Sequence, residues 1–483
     1  MNKGDRIQVE IIDISQQGKG IGKHQGLALF IGETVLGDIV TVEILKLKKN
    51  YAIAELISVD TPSKYRVEPP CKEDMLYGGA YLANMSYEGQ LLLKEKQIKD
   101  KFERIAGISN PVIRPMIAME NPNHYRNKAT FAISTGGNIK EKGGVIKSLG
   151  EPCVGFYKAS SNEVVDINES IIQHQVSMAA ARATRQFMKD DNITAWDDKW
   201  KQGLMRHMIV KVSFETEEVM VTYIINGKSI PNGQKLIEML DDEIYEEGFE
   251  LKSVNLNINK ESGKNLYGKD TIPYAGTNTI SDRIGELELE ISPLAFYQVN
   301  PVMCEKLYDK AKEYANLTGK ENVLDLYCGV GSIGLYMANE SKFVIGIESE
   351  NQAVLNANRN AVINGIVNAR FITGKAEEEL PKLVNSQVEG ASNGEVDLEL
   401  SDVAKSADVV ILDPPRAGVD SKLIDAVVGI SPEKIVYISC DPATLARDVK
   451  LFMEKGYEFV EATPADMFPH TLHIETICVL EKR

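Results

Sequence analysis

From Glu321 onward the chain alternates short runs of β-formers with helical patterns. That alternation restricts the C-terminal part to a doubly wound α/β sheet. Val323 to Leu326 reads as a first strand, followed by a glycine loop and a helix. Phe343 to Glu348, Arg370 to Thr373, Asp408 to Leu412 and Lys434 to Ser439 read as the next four strands. The last is almost continuously apolar, as a parallel strand covered on both faces must be. Ligands of such sheets bind outside the carboxyl ends of the strands. At that edge the final strand stops abruptly in Ser439-Cys440-Asp441-Pro442 and delivers one thiol to a loop. Taken alone, Cys440 reads rather as a small buried hydrophobe, which is what most free cysteines are. Its surroundings decide between the two.

Two more loops at that edge bear on the chemistry. Gly329-Val330-Gly331-Ser332-Ile333-Gly334 follows the first strand, opens a helix, and has Glu348 at the end of the next strand. Glycines there let the backbone approach a ligand closely, and the acid can hold a ribose hydroxyl. A dinucleotide and S-adenosylmethionine make the same demands, so this motif alone does not separate them. Asp413-Pro414-Pro415-Arg416 follows the fourth strand. Its paired prolines stiffen the loop and hold a carboxylate between cofactor and substrate. A nicotinamide enzyme has no need of that loop, so methyl transfer is favoured over hydride transfer.

A chain of 483 residues is long enough for about three domains. Residues 1–66 read as a small OB-like β-barrel, with alternation at Ile7, Val9 and Ile11 and a turn at Gly18, Gly20 and Gly22. Lys46, Lys48 and Lys49 cluster between its last two strands. Residues 67–290 form a mixed α+β central segment, and 291–483 the α/β catalytic domain. Leu91, Ile98, Phe102 and Ile105 lie at helical spacing, with Lys94, Lys96, Lys99 and Lys101 expected on the solvated face. Arg126, Lys128, Arg206, His207 and Lys211 stand in or beside strand-like runs and are candidates for phosphate contacts. Residues 386–407, rich in Ser, Gly, Asn and acids, read as a floppy insertion. The net charge of −16 argues weakly against nucleic acid, yet residues 1–66 hold nine basic and eight acidic groups. A global acidic sum therefore leaves room for a local basic face. Six scattered cysteines, a polar N-terminus and no long apolar run point to a reduced, cytoplasmic protein without a membrane span.

The chain resembles the RNA 5-methyluridine (uracil-5-) methyltransferase family, in its ribosomal-RNA branch with an N-terminal TRAM domain. The matching stretches are D-L-Y-C-G-V-G-S (325–332), D-P-P-R (413–416), S-C-D-P (439–442), D-M-F-P-H-T-L-H-I-E-T (466–476) and S-P-L-A-F-Y-Q-V-N (292–300). The resemblance implies a class I, Rossmann-like methyltransferase domain. It also implies that Gln298, Tyr327, Glu348 and Asp413 contact S-adenosylmethionine, that Cys440 is the nucleophile, and that Glu475 is the base. The central domain would hold RNA, with residues near 90–118 packing back on the catalytic domain. Ribosomal RNA is the expected partner, with transfer RNA as the alternative, and the protein is expected to be a monomer.

Many members of the family bind an iron–sulfur cluster through four cysteines. Here Cys71 matches the first, while Tyr77, Ala80 and Ser170 stand at the other three positions. A single thiolate cannot hold a cubane that takes four, so neither cluster nor metal is expected. Lys375 stands where an acid is more usual.

The implied reaction explains the two catalytic types. Carbon 5 of uracil is a poor nucleophile until a thiolate adds at carbon 6, and a base must later remove the carbon-5 proton. The target base has to leave its stack to meet both groups. Phe296 is a candidate stacking partner, or else an ordinary core phenylalanine.

Overall fold

The computed structural model describes all residues except 136–138, 141–145, 148–149, 160, 264 and 386–397. At the N-terminus, five strands close into a barrel in the order Arg6–Ile14, Gly20–His24, Leu27–Ile31, Tyr51–Thr61, Ile39–Leu47. Alternation places Val9, Ile11, Leu29, Ile31, Val40, Val42 and Ile44 inside, each at most 5% exposed. Lys46, Lys48 and Lys49 stand exposed at the end of the last hairpin, beside the equally exposed Leu45, Leu47 and Tyr51.

Helix Tyr87–Lys101 follows, with Ser86 accepting from Gly89 N at its N-terminus. It continues into a π-helical turn, Phe102–Ala106. Ile98 and Phe102 face inward as the spacing predicts, but Ile105 is 38% exposed and Ala106 is buried instead. The wider turn shifts the apolar stripe by one residue.

The central sheet has seven strands, in the order Val164–Asp166, Pro152–Tyr157, Lys128–Thr135, Met205–Val212, Glu218–Ile225, Glu250–Ile258, Asp270–Gly276. Helices Gln175–Asp190 and Gly233–Glu246 bury their apolar faces on it. Hairpin Ile280–Ile284 and Leu287–Ile291 packs into the same core as Val323 of the C-terminal sheet.

That C-terminal sheet also has seven strands, in the order Ala369–Thr373, Phe343–Glu348, Asn322–Leu326, Val409–Leu412, Lys434–Ser439, Glu475–Lys482, Tyr457–Ala465. The first five run parallel, and Glu475–Lys482 pairs antiparallel to both of its neighbours. The expected floppy insertion is corrected in part. Residues 386–397 lie outside the described set, but Leu398–Lys405 is a helix with Ser401 and Ala404 buried at 1% and 0%. Small side chains let it pack closely where composition alone suggested a solvated loop. No helix among the described residues is long and apolar enough to cross a membrane.

Candidate active site

The carboxyl edge of the C-terminal sheet opens into a cavity of about 1100 Å³. Its lining brings together Phe296, Gln298, Tyr327, Glu348, Asp413, Cys440 and Glu475. Strand register explains the last two. Ser439 pairs with Thr476 across an antiparallel ladder. The next residue of one strand and the preceding residue of the other, Cys440 and Glu475, therefore face each other at the cavity rim. The antiparallel strand turns a carboxyl from near the C-terminus toward a thiol delivered by a parallel one.

Burial governs their electrostatics. The Cys440 thiol is pushed up to about 11 by burial and by the neighbouring Glu475, against the pull of Arg416. Burial and Asp413 hold the Glu475 carboxyl well above the ordinary range, again opposed by Arg416. Burial lifts Asp413 to about 7. Cys328 also lines the cavity, but it is only 6% exposed, and its Sγ fills the space over Gly346. Of the two thiols at this edge, Cys440 is the more open.

The glycine loop is shaped for a ligand. Tyr327 leaves its strand in the left-handed region, φ 67°, and its N–H donates to Ile347 O at 3.0 Å. Gly331 has φ 77°, and a Cβ there would lie 2.7 Å from the Phe371 ring, so only glycine fits. A Cβ on Gly329 would meet nothing within 4 Å, so the loop leaves open space on that side. Glu348 accepts from Gly329 N at 3.1 Å and from Glu350 N and Ser349 Oγ at 2.9 Å. These donors orient the carboxylate and still leave Oε2 a lone pair for a hydroxyl. A cavity faced by Glu348, Asp413 and Glu475 suits a cationic ligand, because a nearby positive charge favours the ionised form of each acid.

The segment carrying Phe296 and Gln298 is fastened from behind. Asn127 Nδ2 donates to Gln298 O at 2.9 Å, and Asn300 caps the next helix while donating to Met467 O at 3.0 Å. Phe296 is 65% exposed at the cavity, which rules out the core alternative. Lys211 is not free to meet a phosphate. Its buried Nζ donates to Ser292 O at 2.8 Å and Ala295 O at 2.7 Å. Arg206 is likewise buried and donates to Asn259 O and Glu261 O, both at 2.8 Å. Both cations brace backbone from inside, and a strand pattern does not distinguish that use from a surface one. Arg416 and His473 also line the cavity, with the guanidinium donating to His473 Nδ1 at 3.3 Å. The sequence singled out neither for a role of its own, although both lie inside motifs it recognised.

Where four thiolates would gather, Asp74 is the hub. It accepts from Tyr77 Oη at 2.5 Å, Ser170 Oγ at 2.7 Å and Ile171 N at 2.6 Å. Cys71 donates to Glu169 O at 3.2 Å, and burial pushes its thiol up to about 12. This net ties the same two chain segments by hydrogen bonds. Anaerobically purified protein is expected to be colourless and to contain iron and acid-labile sulfide far below one equivalent. Stoichiometric iron and sulfide would contradict that expectation.

The chain is similar to known proteins over its whole length. The family model described as tRNA (Uracil-5-)-methyltransferase matches residues 157–483, and the TRAM domain model matches residues 2–57. An uncharacterized RNA methyltransferase of Caldanaerobacter subterraneus subsp. tengcongensis is 41% identical over 485 residues, 100% of each chain. One from Halalkalibacterium halodurans is 36% identical over 481 residues, covering 100% of this chain and 98% of the relative. Among solved structures, the Pyrococcus abyssi tRNA (uracil-54, C5)-methyltransferase in complex with S-adenosyl-L-homocysteine superposes with a TM-score of 0.73 at 26% identity. The match covers 98% of this chain and 100% of that one.

Proposed function

Since the chain belongs to the tRNA (uracil-5-)-methyltransferase family, we propose that it methylates carbon 5 of a uridine in ribosomal RNA through a covalent adduct with Cys440. S-adenosylmethionine supplies the methyl group as an electrophilic sulfonium. Gln298, Tyr327, Glu348 and Asp413 would hold it, Glu348 through the ribose. The Cys440 thiolate adds to carbon 6 of the extruded uracil, and the ring electrons shift to an enolate. Carbon 5 then attacks the methyl carbon, and the carbon–sulfur bond breaks with its electron pair going to sulfur, which leaves as a neutral thioether. Glu475 takes the carbon-5 proton, the ring double bond re-forms, and the Cys440–carbon 6 bond breaks with its electron pair returning to sulfur. Burial suits Glu475 to this, since a carboxylate whose proton affinity is raised is a stronger base. Phe296 offers an exposed ring on which the extruded base can stack.

The observation that supports this reading is the Ser439–Thr476 register, which sets one thiol opposite one carboxyl. Residues 1–66 and 67–290 would hold the RNA, and 291–483 would do the chemistry. A transfer-RNA substrate is the second reading. It is favoured by the likeness to the Pyrococcus abyssi tRNA enzyme, which extends over 98% of this chain and so takes in most of the barrel. Nucleoside mass mapping of both RNA classes from a strain lacking the gene tests the choice. Loss of 5-methyluridine from ribosomal RNA supports the first reading. Loss from transfer RNA alone supports the second, and no loss from either overturns both.

The barrel lysines make a separate prediction. Replacing Lys46, Lys48 and Lys49 together by alanine should weaken RNA binding and flatten its log–log salt dependence by up to about one unit per lost phosphate contact. Filter binding across a salt series would show it, and an unchanged slope would remove the barrel hairpin from the interface.

A further inference from the structure

Helix Tyr87–Lys101 lies between the barrel and the loop that leads into Glu475. On one side Gln97 Nε2 donates to Ile14 O at 2.8 Å, Lys96 pairs with Asp13 at 3.1 Å, and Leu93 joins the barrel core. On the other side Gln90 and Lys94, one helical turn apart, both reach the loop. Gln90 Oε1 accepts from His470 N at 2.8 Å, and its Nε2 lies 3.1 Å from His470 Nδ1. Lys94 Nζ donates to Asp466 Oδ1 at 2.6 Å and to Phe468 O at 3.1 Å. Both side chains are buried, at 0% and 1% exposure, so Lys94 is not on the solvated face where helical spacing put it.

The loop itself is poised. His470 sits in the left-handed region at φ 64°, a conformation that a non-glycine residue keeps only when its surroundings impose it. Its carbonyl accepts from Leu82 N at 2.9 Å, and Leu472 packs against the barrel core. Three residues after Leu472 the chain enters the strand that begins at Glu475. A buried ion pair adds little net stability but fixes geometry, because a misplaced partner leaves a charge unpaired.

We propose that Gln90 and Lys94 are positioning residues for the proton-abstracting step: with the barrel as abutment, the helix holds loop 466–474 so that Glu475 meets carbon 5. This rests on the reading of Glu475 as the base. It also gives the helix a part in the reaction that its sequence pattern did not reveal.

Gln90→Leu and Lys94→Met in the full chain test it under single turnover, with methyl transfer and breakdown of the covalent adduct timed separately. Gln90→Leu removes no charge and serves where Lys94→Met folds poorly. Slow breakdown is expected, by ~10- to 100-fold for a base moved by about an ångström. Methyl transfer and RNA affinity should stay within about twofold, a split that a general loss of structure would not produce. Wild-type breakdown in folded variants, or a parallel fall in both steps, would overturn the proposal. Glu475→Gln serves as the control. If its adduct also resolves at the wild-type rate, the base assignment fails and the positioning role with it. If the control stalls while both variants resolve normally, the positioning role alone fails.

Discussion

Glu475→Gln will turn the enzyme into a trap for its own RNA. The amide keeps the shape of the side chain but cannot accept the carbon-5 proton. Thiolate addition and methyl transfer both precede that step, so they should proceed. Elimination should stall, typically by ~10² to 10⁴ in rate when a general base is removed. A methylated protein–RNA complex that survives denaturation should therefore accumulate on gels and carry label from the cofactor methyl group. Glu475 is 8% exposed, and burial and the nearby Asp413 already favour its neutral form, so a neutral amide keeps a charge state that these surroundings accept. The variant should consequently be no less stable than the parent, and stalled turnover could not be blamed on unfolding. A Glu475→Gln enzyme that turns over normally would dismiss this base.

Cys440→Ala should have the largest effect of any single substitution, since without the thiolate carbon 5 has no means of activation. RNA and S-adenosylmethionine should bind as before, yet neither product nor covalent complex should form. The double variant Cys440→Ala with Glu475→Gln should also form no adduct, because the trap requires the nucleophile. Effects of groups that act as one unit do not add, so the double variant should be no worse than Cys440→Ala alone. An adduct persisting in Cys440→Ala would move the nucleophile elsewhere, with Cys328 next to test despite its burial.

Much of the catalytic sheet was legible because its signals are local. Five β-former runs, a glycine loop and stiff proline turns each announce themselves within a few residues. The same holds for the barrel, whose alternation and glycine turns predict a closed set of short strands, as found. What the residues did not reveal is non-local. Nothing near Glu475 says that its strand runs antiparallel beside Lys434–Ser439, although the facing of Cys440 and Glu475 depends on it. Lys94 reads as solvated because its partner Asp466 lies 372 positions away. Lys211 and Arg206 read as surface cations because the carbonyls they satisfy belong to distant loops. Helical periodicity also assumes an even turn, and the π turn at Phe102–Ala106 breaks that assumption for Ile105. At the Asp74 hub the residues did announce what was absent, three of four thiols, but not the hydrogen-bonded net found in their place.

Attack by Cys440 on carbon 6 of a uracil requires that the carbon-5 substituent then leave as a proton. RNA made with 5-fluorouridine tests it in the unaltered enzyme, because fluorine cannot leave as a cation and elimination stops after methyl transfer. Incubation with this RNA and S-adenosylmethionine, nuclease digestion and peptide mass spectrometry should find one methylated fluorouridine on the peptide that contains Cys440. A modified peptide containing Cys328 instead, or no covalent nucleotide on any peptide while unsubstituted RNA is still methylated, would contradict attack by Cys440.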